Sequence, residues 1–199
     1  NTNLSRVNYR GINLYTDILS KLRDWQICAS LDGTGKIGEY IRTGLRYDSW
    51  LANFRQAVAH RRYSRQVRID FTLTLPGLFE VGNIMRLAQE HDTQVLAKLV
   101  FSFGPDIILS PLALPRELLN RRVDELLADV PAGAMHDVLV QLKTRPTFAE
   151  QWGHSEAAAA ARRGKQRILQ LEAIRGDTYT LDNILEQDAD IHAWYRSIA

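Results

Sequence analysis

Apolar and polar residues alternate with period two in three places along the chain, the spacing of strands that bury one face. In the first, Trp25, Ile27, Ala29 and Leu31 share one face and Gln26, Cys28, Ser30 and Asp32 the other. In the second, Val67, Ile69, Phe71, Leu73 and Leu75 oppose Arg68, Asp70, Thr72 and Thr74. The third sets Ala97, Leu99, Phe101 and Phe103 against Lys98, Val100 and Ser102. Between them the period lengthens to that of helices: Trp50, Leu51, Phe54, Ala57 and Val58 form one stripe, with Asp48 placed to cap it, and Val81, Ile84, Met85 and Ala88 form another. Thr2 and Asn3 read as the end of an earlier strand, with 16–22 as its helix.

This alternation of strands and helices predicts an α/β fold. Doubly wound sheets are covered on both sides and apolar throughout, whereas each of these strands keeps a polar face, which fits a barrel lumen. Barrel chemistry sits at the C-terminal ends of strands, where Ser30, Asp32, Thr72, Thr74 and Ser102 would lie. Past Phe103 the stretch GPDIILSPLALP holds three prolines in twelve residues and reads as an extended connector. Helices then resume at Pro115, over 116–130 and 135–142, followed by a polar hinge at 144–153 and the alanine-rich run EAAAAARRGKQRILQLEAIRG. The expected division is therefore 1–110, a partial barrel, and 111–199, a mainly helical region.

A chain of 199 residues with 45% hydrophobic residues can bury one substantial core. No apolar run reaches the roughly 20 residues of a membrane span, and no leader is evident, so a cytoplasmic address is the default expectation. The net charge of +2 argues against a polyanionic partner. HRRYSR at 60–65 is a local basic cluster, read as a solvated helix end rather than a nucleic-acid contact. Cys28 is the only cysteine, which excludes an internal disulfide and a cysteine-built cluster or zinc site within this chain.

Gly33, Gly35 and Gly38 satisfy GxGxxG after a strand, but Thr43-Gly44 interrupts the helix that should follow and the next strand is too distant to place an acid about 20 residues on, so a dinucleotide site is disfavoured. A P-loop fails because Lys36 precedes Ile37 rather than Ser or Thr. The histidines at 60, 91, 136, 154 and 192 show no paired metal spacing and read as surface or helix residues. Lys98 pointing into a barrel could form a Schiff base in an aldolase-like enzyme, although an ion pair with Asp70 on the neighbouring strand explains it more simply. A non-enzymatic binding module around Arg61, Arg62 and Arg65 is a third reading.

SLDGTGKIGEYIR at 30–42, followed by TGLRYDSWLANFRQ, resembles the fourth-strand region of radical S-adenosylmethionine (SAM) enzymes with a shortened twitch-type C-terminal region. Thr2-Asn3 resembles the TN ending the third strand, KLVFSFGPDIILSPLALPREL the sixth strand and its loop, and LQLEAIRGDTY a C-terminal helix of that group. The resemblance implies the C-terminal half of a (β/α)6 partial barrel in which a [4Fe-4S] cluster cleaves SAM reductively to a hydrogen-abstracting radical, acting on a substrate of which peptides are one class. It places the CxxxCxxC loop and the second-strand motif upstream of Asn1, roughly 60–90 residues at barrel spacing, so that this chain alone is expected to be inactive. Carried over by position, Ser30 matches a polar contact near the SAM ribose or methionine moiety, Asp32 belongs to the same motif, and Arg42 matches an arginine suited to a carboxylate, for which a planar bidentate donor is apt. Thr72 and Thr74 face the expected lumen. Leu75-Pro76-Gly77 departs from the family, whose members often carry Asn after strand five.

Overall fold

The computed structural model describes residues 1–100 and 107–198. A two-residue hairpin, β1 (Asn8–Tyr9) and β2 (Ile12–Asn13), leads into short π- and 3-10-helical turns at Leu14–Ile18 and Leu19–Lys21, where the sequence suggested one regular helix. Then follow β3 (Ile27–Ser30), α1 (Gly35–Ile41), α2 (Tyr47–His60), β4 (Val67–Leu73), α3 (Val81–Glu90) and β5 (Gln94–Leu99). Strands β3, β4 and β5 are parallel neighbours in chain order, and Thr2 adds a parallel bridge to Ala29 on the outer side of β3. Each crossover carries helices, as a parallel connection requires.

The expected α/β class holds in this coarser form: among the described residues, a three-stranded parallel sheet stands open, without closing a barrel, in a mainly helical chain. The period-two readings fall on β3, β4 and β5; Phe101, Ser102 and Phe103 of the third lie outside the described residues.

Alternation explains the layers. Ile27, Ala29, Leu31, Val67, Ile69, Phe71 and Leu73 are all buried and join one core with Trp50, Phe54 and Ala57 of α2 and Ile84 and Leu87 of α3. Trp50 and Phe54, one helical turn apart, stack at 4.9 Å, and His91 meets Phe54 edge-on. Burial, followed by the field of Arg55, lowers the His91 pKa below the ordinary imidazole value. The expected cap Asp48 instead lies inside the first turn of α2, whose Tyr47 amide is held by Glu39 at 2.8 Å.

From Pro111 onward the described chain is helical: α4 (Arg116–Asp129), α5 (Ala134–Thr144), α6 (Phe148–Trp152), α7 (His154–Arg175), α8 (Leu181–Leu185) and α9 (Ala189–Ser197). Pro115 is the N-cap of α4. The stretch read as a hinge contains α6, started by a capping box in which Thr147 and Glu150 exchange side-chain-to-backbone bonds. Thr180 and Asn183 repeat the device for α8.

The two portions share one core and are tied by polar bonds. Glu172, 6% exposed on α7, accepts the Tyr40 hydroxyl of α1 at 2.7 Å and the Leu181 amide at 2.8 Å. Arg175 lies over the Tyr40 ring and reaches Thr43 at 3.0 Å, and Arg122 of α4 covers Phe79 while donating to the Leu78 carbonyl.

Candidate functional site

The polar faces of β3, β4 and β5 fall on one side of the sheet because parallel register aligns Cys28 with Arg68 and Gln94, Ser30 with Asp70, and Thr72 with Lys98. At the C-terminal edge, Asp70 is 6% exposed and its Oδ1 receives the Lys98 ammonium at 2.7 Å. A buried carboxylate without such a partner would be costly. The Lys98 side chain keeps 48% of its exposure, so the pair opens toward solvent on this face.

Asp32 does two jobs. Its Oδ1 accepts the Thr72 amide at 2.9 Å, at the point where the β3–β4 ladder ends, and its Oδ2 pairs with Nε of Arg42 at 2.7 Å. With 7% exposure it is a fastening between strand end, neighbouring strand and α1 rather than an open ligand group. Arg42, by contrast, lines a cleft of about 340 Å³ together with Asn3, Ser5, Arg46 and Ser49. Only its Nε is engaged by Asp32, leaving the fork of terminal N–H donors on the half-exposed side chain.

Ser30 is half-buried between its neighbours, and among the described residues its hydroxyl has no hydrogen-bond partner. Thr72 is half-buried on the same face. Thr74 is 6% exposed and its Oγ1 accepts the Gly77 amide at 3.0 Å, closing the turn that begins at Leu75-Pro76. The structure therefore brings Ser30, Asp70, Thr72 and Lys98 to one face of the sheet; Arg42 joins its edge only through Asp32, its guanidinium lining the cleft beside Asn3 and Ser49, while Thr74 belongs to the turn.

Glu80 was not among the residues singled out from sequence. It is 3% exposed, and its Oε2 accepts the Thr34 amide at 2.5 Å and the Thr34 hydroxyl at 2.6 Å, with Asn83 donating to Oε1 at 3.1 Å. A buried carboxylate thus occupies the amide end of the glycine-rich loop, where a dinucleotide fold would hold a pyrophosphate. The glycines have a packing reason instead. A Cβ on Gly38 would stand 2.1 Å from the Gly33 carbonyl oxygen, so α1 can approach its own entry loop only with glycine there. The one sequence signal for Glu80 was an acid directly ahead of the apolar stripe of α3.

The basic cluster is engaged locally. Helix α2 ends at His60, Arg61 reaches Asp92 at 3.2 Å, Arg62 donates to the Arg23 carbonyl, and Arg65 lies over Tyr63. His192, read from sequence as lacking ligand neighbours, stands beside Asp182 and Glu186, with the three donor atoms within 4.8 Å of one another. Asp182 and Glu186 are four residues apart, the spacing that puts side chains on one helix face. No helix among the described residues is long and apolar enough to cross a membrane. Compared with family models, with curated proteins and with solved structures, the chain finds no match in any of the three.

Proposed function

We propose that this chain supplies one side of a SAM-binding partial barrel of the radical SAM type, with Ser30 and Arg42 as its ligand contacts. The observation that carries this reading is the order of the sheet: Thr2, β3, β4 and β5 lie side by side, parallel and in chain order, and their polar faces meet at the C-terminal edge. An open run of consecutive parallel strands with one wet face is what one part of a barrel wall looks like.

Residues on this face, together with Arg42 in the cleft that Asp32 joins to it, suit a zwitterionic nucleoside ligand. The terminal N–H fork of Arg42 matches a carboxylate, Ser30 offers an unengaged hydroxyl, and the Asp70–Lys98 pair presents both signs of charge. When bound and reductively cleaved, SAM supplies a hydrogen-abstracting radical in that enzyme group. Cys28 alone cannot hold a [4Fe-4S] cluster, which takes several cysteine thiolates, so no step through the cluster is assigned to these residues. Peptides are one substrate class within this proposal, and the cluster's thiolates would have to come from outside these 199 residues.

The Schiff-base alternative is weakened by Lys98 donating to Asp70, and the basic binding module by the local engagement of Arg61 and Arg62. A polypeptide that combines this chain with a cluster-binding cysteine segment, reconstituted with iron and sulfide without oxygen, should release 5'-deoxyadenosine from SAM. Arg42→Ala should weaken SAM binding at least about tenfold, the scale of a lost charge-assisted pair. SAM binding unchanged in that variant would remove the assignment, and borohydride trapping of a carbonyl compound on Lys98 would favour the aldolase-like reading.

A further inference from the structure

We infer that Asp182, Glu186 and His192 form a binding site for one divalent transition-metal ion of the zinc type, at the corner between α8 and α9. Among the described residues this is the one group of His, Cys, Asp and Glu side chains that brings three ligand atoms within 4.8 Å of one another. An ion bonded at about 2.0–2.2 Å to one imidazole nitrogen and two carboxylate oxygens draws such donors together by small side-chain rotations.

The frame is already fixed. Asp182 lies in the first turn of α8 and Glu186 is its C-cap, whose amide bonds back to the Asp182 carbonyl at 3.2 Å. That backbone bond sets the two carboxylates one turn apart. His192 lies in α9, whose start is capped by Asp188 through the Ile191 amide at 3.1 Å. Asp188 is in turn gripped by Arg121 at 2.7 Å. The ring is held by Nε2 against Asp182 Oδ1 at 3.0 Å, and the His192 side chain is only 17% exposed.

Charge points the same way. Arg121 is engaged by Asp188, Glu125 and Asp190. Among the described residues the Glu186 side chain makes no ion pair or hydrogen bond. Two carboxylates therefore face one imidazole, and among the described residues no lysine or arginine is paired to either. One imidazole with two carboxylates suits zinc, cobalt or nickel, whereas calcium and magnesium prefer oxygen donors alone. Three protein ligands leave further positions to water, so the bound ion would pin α9 onto α8.

The inference does not rest on the proposed function, since its three residues lie outside the strand edge. Zinc chloride titrated calorimetrically into the chelator-stripped chain should bind with one equivalent. Cobalt(II) should give visible d–d bands without the intense near-ultraviolet charge-transfer band that ligation by Cys28 would add. His192→Ala and, separately, Asp182→Asn should each weaken binding at least about tenfold, since loss even of an outer-shell partner costs that much. If His192→Ala fails to fold by circular dichroism, Asp182→Asn and Glu186→Gln decide. Absence of saturable zinc binding, affinity unchanged by the substitutions, or equal competition by calcium or magnesium would overturn the site.

Discussion

Buried acids serve opposite ends in the two portions of this molecule. Along the sheet edge, Asp32 and Asp70 are buried but their partners Arg42 and Lys98 are half-exposed, so each acid holds a cation at the rim of an open face. In the helical portion, Glu172 receives a buried tyrosine hydroxyl and a buried amide, and Asp188 caps a helix while accepting Arg121. The first arrangement leaves charge available to a ligand; the second uses the same group to close gaps between helices. Comparing them teaches that burial of an acid does not mark a site by itself. Nor does exposure of its partner, since the Arg121 that Asp188 grips keeps 37% of its side-chain exposure; the difference lies in whether the pair borders an open strand edge or fills a helix junction.

That comparison can be broken by substitution. The largest effect is expected for Phe54→Ala, which empties the stack with Trp50 and should cost about 3–5 kcal/mol. If sheet and helices form one cooperative unit, urea unfolding followed by tryptophan fluorescence and by far-ultraviolet circular dichroism will move together; separate transitions would divide the molecule in two. Next comes Glu172→Ala, which strands the Tyr40 hydroxyl and the Leu181 amide and should cost about 2–4 kcal/mol by the price of two unpaired buried groups. Glu172→Gln, which keeps an acceptor, should cost less.

Lys98→Met sharpens the contrast, because it leaves the buried Asp70 carboxylate without its cation: a loss of about 1–3 kcal/mol is expected from the stability curve. The smallest effect concerns acid. The Arg116 hydrogen bond, then the Thr147 amide, lower the Glu150 pKa from 4.5 to about 2. A depressed carboxylate stabilises the fold above its unfolded value and loses that contribution as pH falls from about 4.5 toward 2. Arg116→Ala should therefore flatten the pH dependence of the thermal midpoint within that window by a modest lowering of the midpoint at neutral pH, the gap from the unsubstituted chain narrowing as pH falls toward 2.

How much of this was legible in sequence depends on the device each region uses. Strand positions follow from strict alternation, and the inward set Ile27, Ala29, Val67, Ile69 and Phe71 is the buried set. Helix α6 was hidden because five residues carry too little periodicity, although Thr147 and Glu150 spell its capping box. Candidates at the strand edge were readable as residue types at alternate positions, but their division of labour was not. Whether Asp32 holds Arg42 or faces a ligand depends on contacts across 10 residues, and Glu80 reaches Thr34 across 46. The corner of Asp182, Glu186 and His192 needed the turn between two short helices to become visible.

The double grip of Asp32 has a mechanical consequence. With one oxygen on the Thr72 amide and the other on Arg42, it cannot swing toward a newcomer without unzipping the end of the strand pair. The guanidinium is thus mounted on a rigid post, and adaptation to any incoming molecule must come from the cleft walls around Asn3 and Ser49, or from the freely rotating hydroxyl of Ser30.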